Sequence, residues 1–136
     1  MNLNFSIIIP VYNRPNEIDE LLESLTKQNF SDALEVLIIE DGSENSSEEI
    51  VKKYTNQLDL KYIYKENSGA GSSRNFGMQK ATGNYFIILD SDVIVPKEYL
   101  SEVKKALENN FTDAFGGPDA AHECFTSLQK AINYSM

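Results

Sequence analysis

Residues 85–95 read Tyr-Phe-Ile-Ile-Leu-Asp-Ser-Asp-Val-Ile-Val, and the fold is decided in this stretch. Tyr85, Phe86, Ile87, Ile88 and Leu89 are bulky and uninterrupted by polar residues, which predicts a strand buried on both faces. The run ends in Asp90 and Asp92, spaced so that both carboxylates flank one point just past the strand. A core does not accept two unpaired carboxylates, because a buried charge must be paired or bound to metal. One reading is a Mg²⁺ or Mn²⁺ site: these hard cations take carboxylate oxygens, and Mg²⁺ shares itself readily with substrate phosphates. The other is a polar strand exit with two solvated acids.

Composition narrows the class. A chain of 136 residues fits one domain with a sizeable core, and 41% hydrophobic content suits a globular chain. The net charge of −9 argues against nucleic acid as a partner. It also means that an anionic ligand needs a cation, or a few placed Arg and Lys, between itself and the protein. Cys124 is the only cysteine, so no internal disulfide forms and no oxidising compartment is indicated. Residues 5–11 are apolar but short, contain Pro10 and lack a preceding basic region, unlike a signal peptide. No run approaches the roughly 20 apolar residues of a membrane span. The triplets at Asn45, Asn110 and Asn133 match the N-glycosylation pattern and are read as chance, with a cytoplasmic location expected.

Taken in order, residues 5–11 form a second apolar, β-rich run that finishes near Pro10, which has no N–H for a ladder. A loop at 13–16 leads into a helix whose Ile18, Leu21, Leu22 and Leu25 mark one buried face. Glu17, Asp19 and Glu20 lie in its first turn, where the helix dipole favours acids. Residues 34–39 predict a strand ending in Glu40-Asp41-Gly42-Ser43. Ser46 or Ser47 then caps a helix with Ile50, Val51, Tyr54 and Leu58 inward. Residues 60–64 alternate more and predict an edge strand; 67–75 predict a flexible loop opening a helix that ends near Thr82-Gly83. After the 85–95 stretch, Pro96 and Lys97 begin a helix carrying Tyr99, Leu100, Val103 and Leu107, and Ala114-Phe115 suggest a fifth strand.

Strand and helix thus alternate four times, which implies a mostly parallel α/β sheet with helices on both faces. In such sheets, ligands bind beyond the carboxyl ends of the strands, where strand order reverses. The polar segments fall at those ends: 12–14, 40–43, 67–74 and 90–92. Each suits part of a nucleotide diphosphate. Tyr12 can stack on a base or simply pack. Asp41 can accept hydrogen bonds from a base N–H or ribose hydroxyls, although Asp-Gly-Ser is also ordinary turn chemistry. Gly69 and Gly71 allow close backbone approach, and the helix they open presents N–H groups to an anion. Arg74 offers a planar donor fork. Asp90 and Asp92 can hold a metal that neutralises the diphosphate. His122 reads either as a metal ligand or, as a lone His more often is, as incidental, and Cys124 has no activating neighbour beyond His122.

Four motifs, Ser-Ile-Ile-Ile-Pro-Val-Tyr-Asn-Arg, Ile-Ile-Glu-Asp-Gly-Ser, Glu-Asn-Ser-Gly-Ala-Gly-Ser-Ser-Arg-Asn-Phe-Gly and Gly-Asn-Tyr-Phe-Ile-Ile-Leu-Asp-Ser-Asp, occur in this order across residues 5–118. Together they resemble family 2 glycosyltransferases. The resemblance implies a Rossmann-like GT-A fold that uses a nucleotide-diphosphate sugar, commonly a UDP-sugar, with Mn²⁺ or Mg²⁺. It places Pro10, Val11, Tyr12 and Arg14 around the base with Asp41, and Glu40 beside it. Gly69 and Arg74 fall at the donor loop, Arg74 at the position that meets base or phosphates. Asp90-Ser91-Asp92 matches the Asp-x-Asp signature, with Asp90 and Ser91 at the donor and both aspartates at the metal. Members with this pattern invert: a base deprotonates an acceptor hydroxyl, which attacks the anomeric carbon opposite the diphosphate, in polysaccharide or glycoconjugate synthesis.

The family's base and most acceptor contacts lie further along than Gly116-Gly117-Pro118-Asp119, so no residue is assigned as the base and it is expected beyond Met136. Residues 125–134 read as a helix still in progress. The expectation is a truncated GT-A half-domain over 5–136, binding donor and metal but not turning over, and self-associating through apolar surface. The alternatives are a NAD-binding Rossmann domain built on Gly69-Ala70-Gly71, a non-catalytic nucleotide-binding module, and a sugar nucleotidyltransferase. Against the first, Arg74 stands where a third glycine belongs. Against the last, no Gly- and Arg-rich loop follows the first strand.

Overall fold

A computed structural model describes residues 3–112. Four strands, β1 (Phe5–Val11), β2 (Leu34–Asp41), β3 (Asp59–Lys65) and β4 (Tyr85–Ile88), are all parallel in the order β3-β2-β1-β4. The helices α1 (Pro15–Thr26), α2 (Glu48–Lys52), α3 (Ala70–Lys80) and α4 (Tyr99–Asn109) alternate with them. Because successive strand residues face opposite ways, β1 and β2 feed two cores. Ile7, Ile9, Val36 and Ile38 meet the apolar faces of α1, α2 and α4, among them Ile18, Leu22, Val51 and Leu100. Ile8, Leu37 and Ile39 face the other way, against Phe76 and Met78 of α3. This is the sandwich expected of fully apolar parallel strands.

Strand order runs outward from β1 through β2 to β3, then returns to place β4 on the opposite side of β1. The crevice beyond the carboxyl ends of β1 and β4 is therefore the switch point where such sheets bind ligands. At the other end of the sheet, Glu35 is buried and ties the strands together. It accepts Ser6 Oγ at 2.7 Å, Lys61 Nζ at 2.6 Å, and the Thr82 N–H and Oγ at 2.6 and 2.8 Å. Gly83 lies close enough that a Cβ there would come within 2.5 Å of the Asn4 carbonyl.

The 85–95 stretch differs from its prediction. Only Tyr85–Ile88 is strand, and it is not buried on both faces: Phe86 is 38% exposed. Within the described residues β4 pairs with β1 alone and α3 packs mainly over β1 and β2, so the Phe86 side of β4 is covered at Ile88 but open at Phe86. Four boundaries move as well; helix α4 starts at Tyr99, with Pro96 and Lys97 in the loop before it. Strand β2 continues through Glu40 and Asp41, and helix α3 already starts at Ala70 in what reads as loop. Helix α2 stops at Lys52, so Tyr54 and Leu58 pack against the core from a turn. Ser47 holds the N-cap position of α2 but makes no side-chain capping bond: its Oγ donates to Glu40 Oε1 at 2.7 Å, and the Glu48 N–H meets Ser46 Oγ at 3.0 Å instead. The predicted edge strand is β3. The predicted strand at 114–115, the segments 116–119 and 125–134, His122, Cys124, Asn133 and Met136 lie outside the described residues. The half-domain expected over 5–136 is therefore described only as far as Thr112, and the expected place of the base, beyond Met136, falls outside it too.

Candidate functional site

A pocket of about 400 Å³ opens at the switch point. Pro10 and Val11 of β1, with Tyr12 and Arg14 of the following loop, form one wall; Glu17 of α1, Asp41 of β2, Ala70 of α3 and the 90–92 loop complete it. All four polar segments singled out in the sequence thus meet around one site. Tyr12 is 52% exposed, so its ring stands at the rim instead of in the core.

Glu40 and Asp41 are adjacent on a strand and point to opposite faces, which gives them different tasks. Glu40 departs from the expected place at the base: it is fully buried and absent from the pocket wall. Its Oε1 accepts the Ser47 N–H and Oγ, both at 2.7 Å, and Tyr62 OH at 3.0 Å; Oε2 accepts Ser43 Oγ at 2.5 Å. Ser43 Oγ in turn accepts the Asn13 N–H at 2.7 Å, and Asn13 Oδ1 accepts the Asn45 N–H at 2.9 Å. Asn13 adopts a left-handed φ of 54°, which Asn tolerates better than most residues. Glu40 therefore braces the β1–α1 and β2–α2 loops from behind.

Asp41 reaches the pocket from the other face. Its Oδ1 accepts Lys65 Nζ at 2.6 Å and the Ser68 N–H at 2.9 Å, and Oδ2 accepts the Gly69 N–H at 2.9 Å. Burial works against the charged form, but Lys65 and the two N–H groups outweigh it and hold this carboxyl below its ordinary value. Gly42, with φ 74°, lets the chain turn beneath Asn67; a Cβ there would lie 2.6 Å from the Asn67 nitrogen. Gly69, with φ 99°, is the N-cap of α3 and spends its N–H on Asp41.

Arg74 projects from the first turns of α3 and donates through Nη2 to Asp90 Oδ1 at 3.3 Å. Its Nε is buried and finds no hydrogen-bond partner among the described residues. Ser91 donates to Glu17 Oε2 at 3.0 Å, and Arg14 Nε stands 3.7 Å from Glu17 Oε1. In the sequence Glu17 reads only as a favourable charge in a helix first turn; its spacing of three from Arg14 is the available signal. Lys65 escapes the sequence reading too, although the parallel register sets it beside Asp41.

The donor set suits a shared metal better than an enclosed one. No group of three or more His, Cys, Asp or Glu side chains placed to hold a metal occurs among the described residues. Asp90 and Asp92 on one pocket wall match a Mg²⁺ or Mn²⁺ ion that takes its remaining ligands from water and substrate phosphate.

Comparison with known proteins agrees with this geometry. The family described as Glycosyl transferase family 2 matches residues 6–135. Poly(ribitol-phosphate) beta-N-acetylglucosaminyltransferase TarS of Staphylococcus aureus is 36% identical over 114 residues, covering 82% of this chain and 20% of TarS. The glycosyltransferase YibD of Escherichia coli, itself uncharacterised, is 38% identical over 107 residues, covering 77% of this chain and 31% of that protein. The chain thus spans less than a third of the length of these relatives. The crystal structure of TarS 1–349 in complex with UDP superposes with a TM-score of 0.77 at 33% identity, covering 88% of this chain and 38% of that one. A mannosyltransferase from Pyrobaculum calidifontis shares the fold, with a TM-score of 0.78 over 87% of this chain and 36% of its own. By motif order, sheet topology and these matches, the chain belongs to glycosyl transferase family 2 and has the GT-A fold.

Proposed function

We propose that this chain is the donor-binding part of an inverting glycosyltransferase that moves a sugar from a UDP-sugar to an acceptor hydroxyl of a growing glycan. The observation that carries the reading is the meeting of Tyr12, Asp41 and the Asp90-Ser91-Asp92 loop around one pocket at the switch point. Complexes of the relative TarS with UDP and with UDP-GlcNAc, at 33% and 34% identity, favour a uridine nucleotide.

Tyr12 offers its exposed ring to the face of the base, and Asp41 accepts a base N–H. Arg74, with an uncommitted buried Nε, donates to phosphate oxygens. Asp90 and Asp92 would hold Mg²⁺ or Mn²⁺, whose charge offsets that of the diphosphate and makes it a better leaving group. Glu17 holds Ser91, and so sets the loop that carries both aspartates. The acceptor oxygen forms its bond to the anomeric carbon as the bond to the diphosphate breaks, and the hydroxyl proton passes to a base not assigned among the described residues. No helix among the described residues is long and apolar enough to cross a membrane.

Calorimetric titration of UDP with and without Mn²⁺, on the wild-type chain and Asp92→Ala, tests the reading. Binding that needs Mn²⁺ and weakens at least about tenfold in the variant is expected, since a lost charge-assisted contact is worth about 1.5–3 kcal/mol. Binding of NAD in place of UDP would sink it.

A further inference from the structure

Lys65 closes β3 directly beside Asp41 in the parallel register, and its side chain is only 12% exposed. An ammonium has three protons to donate. Those of Lys65 go to Asp41 Oδ1 at 2.6 Å, Ser68 Oγ at 2.5 Å and the Glu66 carbonyl at 3.0 Å. None is left for a ligand, so whatever Lys65 does at the pocket it does through Asp41.

A carboxylate offers about four acceptor directions, two on each oxygen. Oδ1 of Asp41 is filled by Lys65 and the Ser68 N–H. Oδ2 receives the Gly69 N–H at 2.9 Å, while the Asn67 amide stands off at 3.4 Å, beyond a strong bond. One lone pair on Oδ2 stays uncommitted, on a residue that lines the pocket.

We propose that Lys65 is a positioning residue that locks Asp41 so that a single acceptor faces the base, selecting a nucleobase with an imide N–H over one with a bare ring nitrogen; this rests on the donor-nucleotide reading above. An ionised carboxylate only accepts. It bonds the N3–H of uracil and opposes the lone pair of cytosine N3, although the two bases are equal in size. Without Lys65, Oδ1 loses one of its two anchors, and the carboxylate is free to rotate. Turned, it accepts from the exocyclic N4–H2 of cytosine as well as from the N3–H of uracil.

The test is binding of UDP and CDP, at one pH and one Mn²⁺ concentration, to the wild-type chain and to Lys65→Met. Wild type is expected to prefer UDP at least about tenfold, the scale of one satisfied against one opposed buried polar contact. In Lys65→Met the ratio is expected to fall to within about threefold, mainly through weaker UDP binding. A merely structural role for Lys65 would weaken both ligands equally, and an unchanged ratio overturns the proposal. A wild-type chain that binds neither nucleotide overturns the donor reading and this inference together. A wild type that binds both equally overturns base selection alone. Should Lys65→Met fail to give a folded circular dichroism spectrum, Ser68→Ala removes the 2.5 Å anchor of the ammonium and keeps its charge. A reduced UDP/CDP ratio there supports the proposal and an unchanged one overturns it.

Discussion

Two adjacent acids on one strand illustrate how residue chemistry is decided by the face a side chain takes. Asp41 is held by a cation and backbone N–H groups at the pocket, whereas Glu40 is sealed behind it under four donors. In the sequence the pair reads as one acidic turn at a ligand site, because nothing in Glu-Asp-Gly-Ser says which carboxylate faces inward. Removing the Glu40 charge should therefore affect folding before it affects binding chemistry. In Glu40→Gln one oxygen becomes an amide that cannot accept from Ser43 or Ser47, leaving at least one buried donor unpaired. Denaturant unfolding should show a loss of about 1–3 kcal/mol relative to wild type. A change below about 0.5 kcal/mol, the level of an ordinary surface substitution, would contradict the buried network.

At the scale of elements, α3 is the helix that brings Ala70 to the pocket wall and Arg74 to Asp90, and it rests on the sheet through small residues. Ser73 and Gly77, four apart and so on one face, are its buried positions. A Cβ at Gly77 would sit 2.5 Å from Ile8 Cγ2 and 3.3 Å from Ile39 Cγ1, against side chains that are themselves fully buried. Alanine improves helix propensity by up to about 1 kcal/mol, but overpacking a core typically costs about 1–3 kcal/mol. The packing term wins because Ile8 is β-branched and locked in a strand. Gly77→Ala is expected to lower the unfolding midpoint and, by tilting α3, to weaken UDP binding; a more stable variant with unchanged affinity would refute that contact. The same feature explains what was legible in the chain. Helices α1 and α4 announce themselves by apolar residues at helical spacing, and every apolar residue expected on their faces is buried, with Ser24 of α1 buried in addition. The start of α3 reads as a flexible Gly-Ser loop because its inward face is made of the smallest side chains, which carry no hydrophobic period. Strand β4 misleads in the opposite sense: its apolar run is real, but burial of Phe86 depends on what covers that side of the sheet, which a local pattern cannot specify. The polar rim was readable because parallel strands place every carboxyl-end loop on one side. The ties behind it, Lys65 to Asp41 and Glu17 to Ser91, span 24 and 74 residues and leave no local trace.

The whole molecule divides into a ligand rim at the carboxyl ends of the strands and a staple at their amino ends, and the staple sets how stability responds to pH. Glu35 gathers β1, β2, β3 and the α3–β4 turn through Ser6, Lys61 and Thr82. Burial by itself would raise the Glu35 carboxyl, but Lys61, the Thr82 N–H and the Ser6 and Thr82 hydroxyls overcome it and bring it from 4.5 down to about 2. A carboxyl held low binds its proton more weakly in the folded chain than in the unfolded one. Its contribution is therefore fully present above pH 4.5 and disappears as pH falls toward about 2. A difference of that size corresponds to roughly 3 kcal/mol at neutral pH. Urea unfolding of wild type and Glu35→Gln at pH 7, 4 and 2.5 should show a large gap at pH 7 that narrows steadily on acidification. Other carboxylates also titrate in this window, but they are common to both chains and cancel in the difference. A gap that stays constant with pH would mean that the buried contacts, and not the charge, supply the stabilisation. A gap that closes would establish that the charge of Glu35, remote from the pocket, is what stabilises the meeting of β1, β2, β3 and the α3–β4 turn.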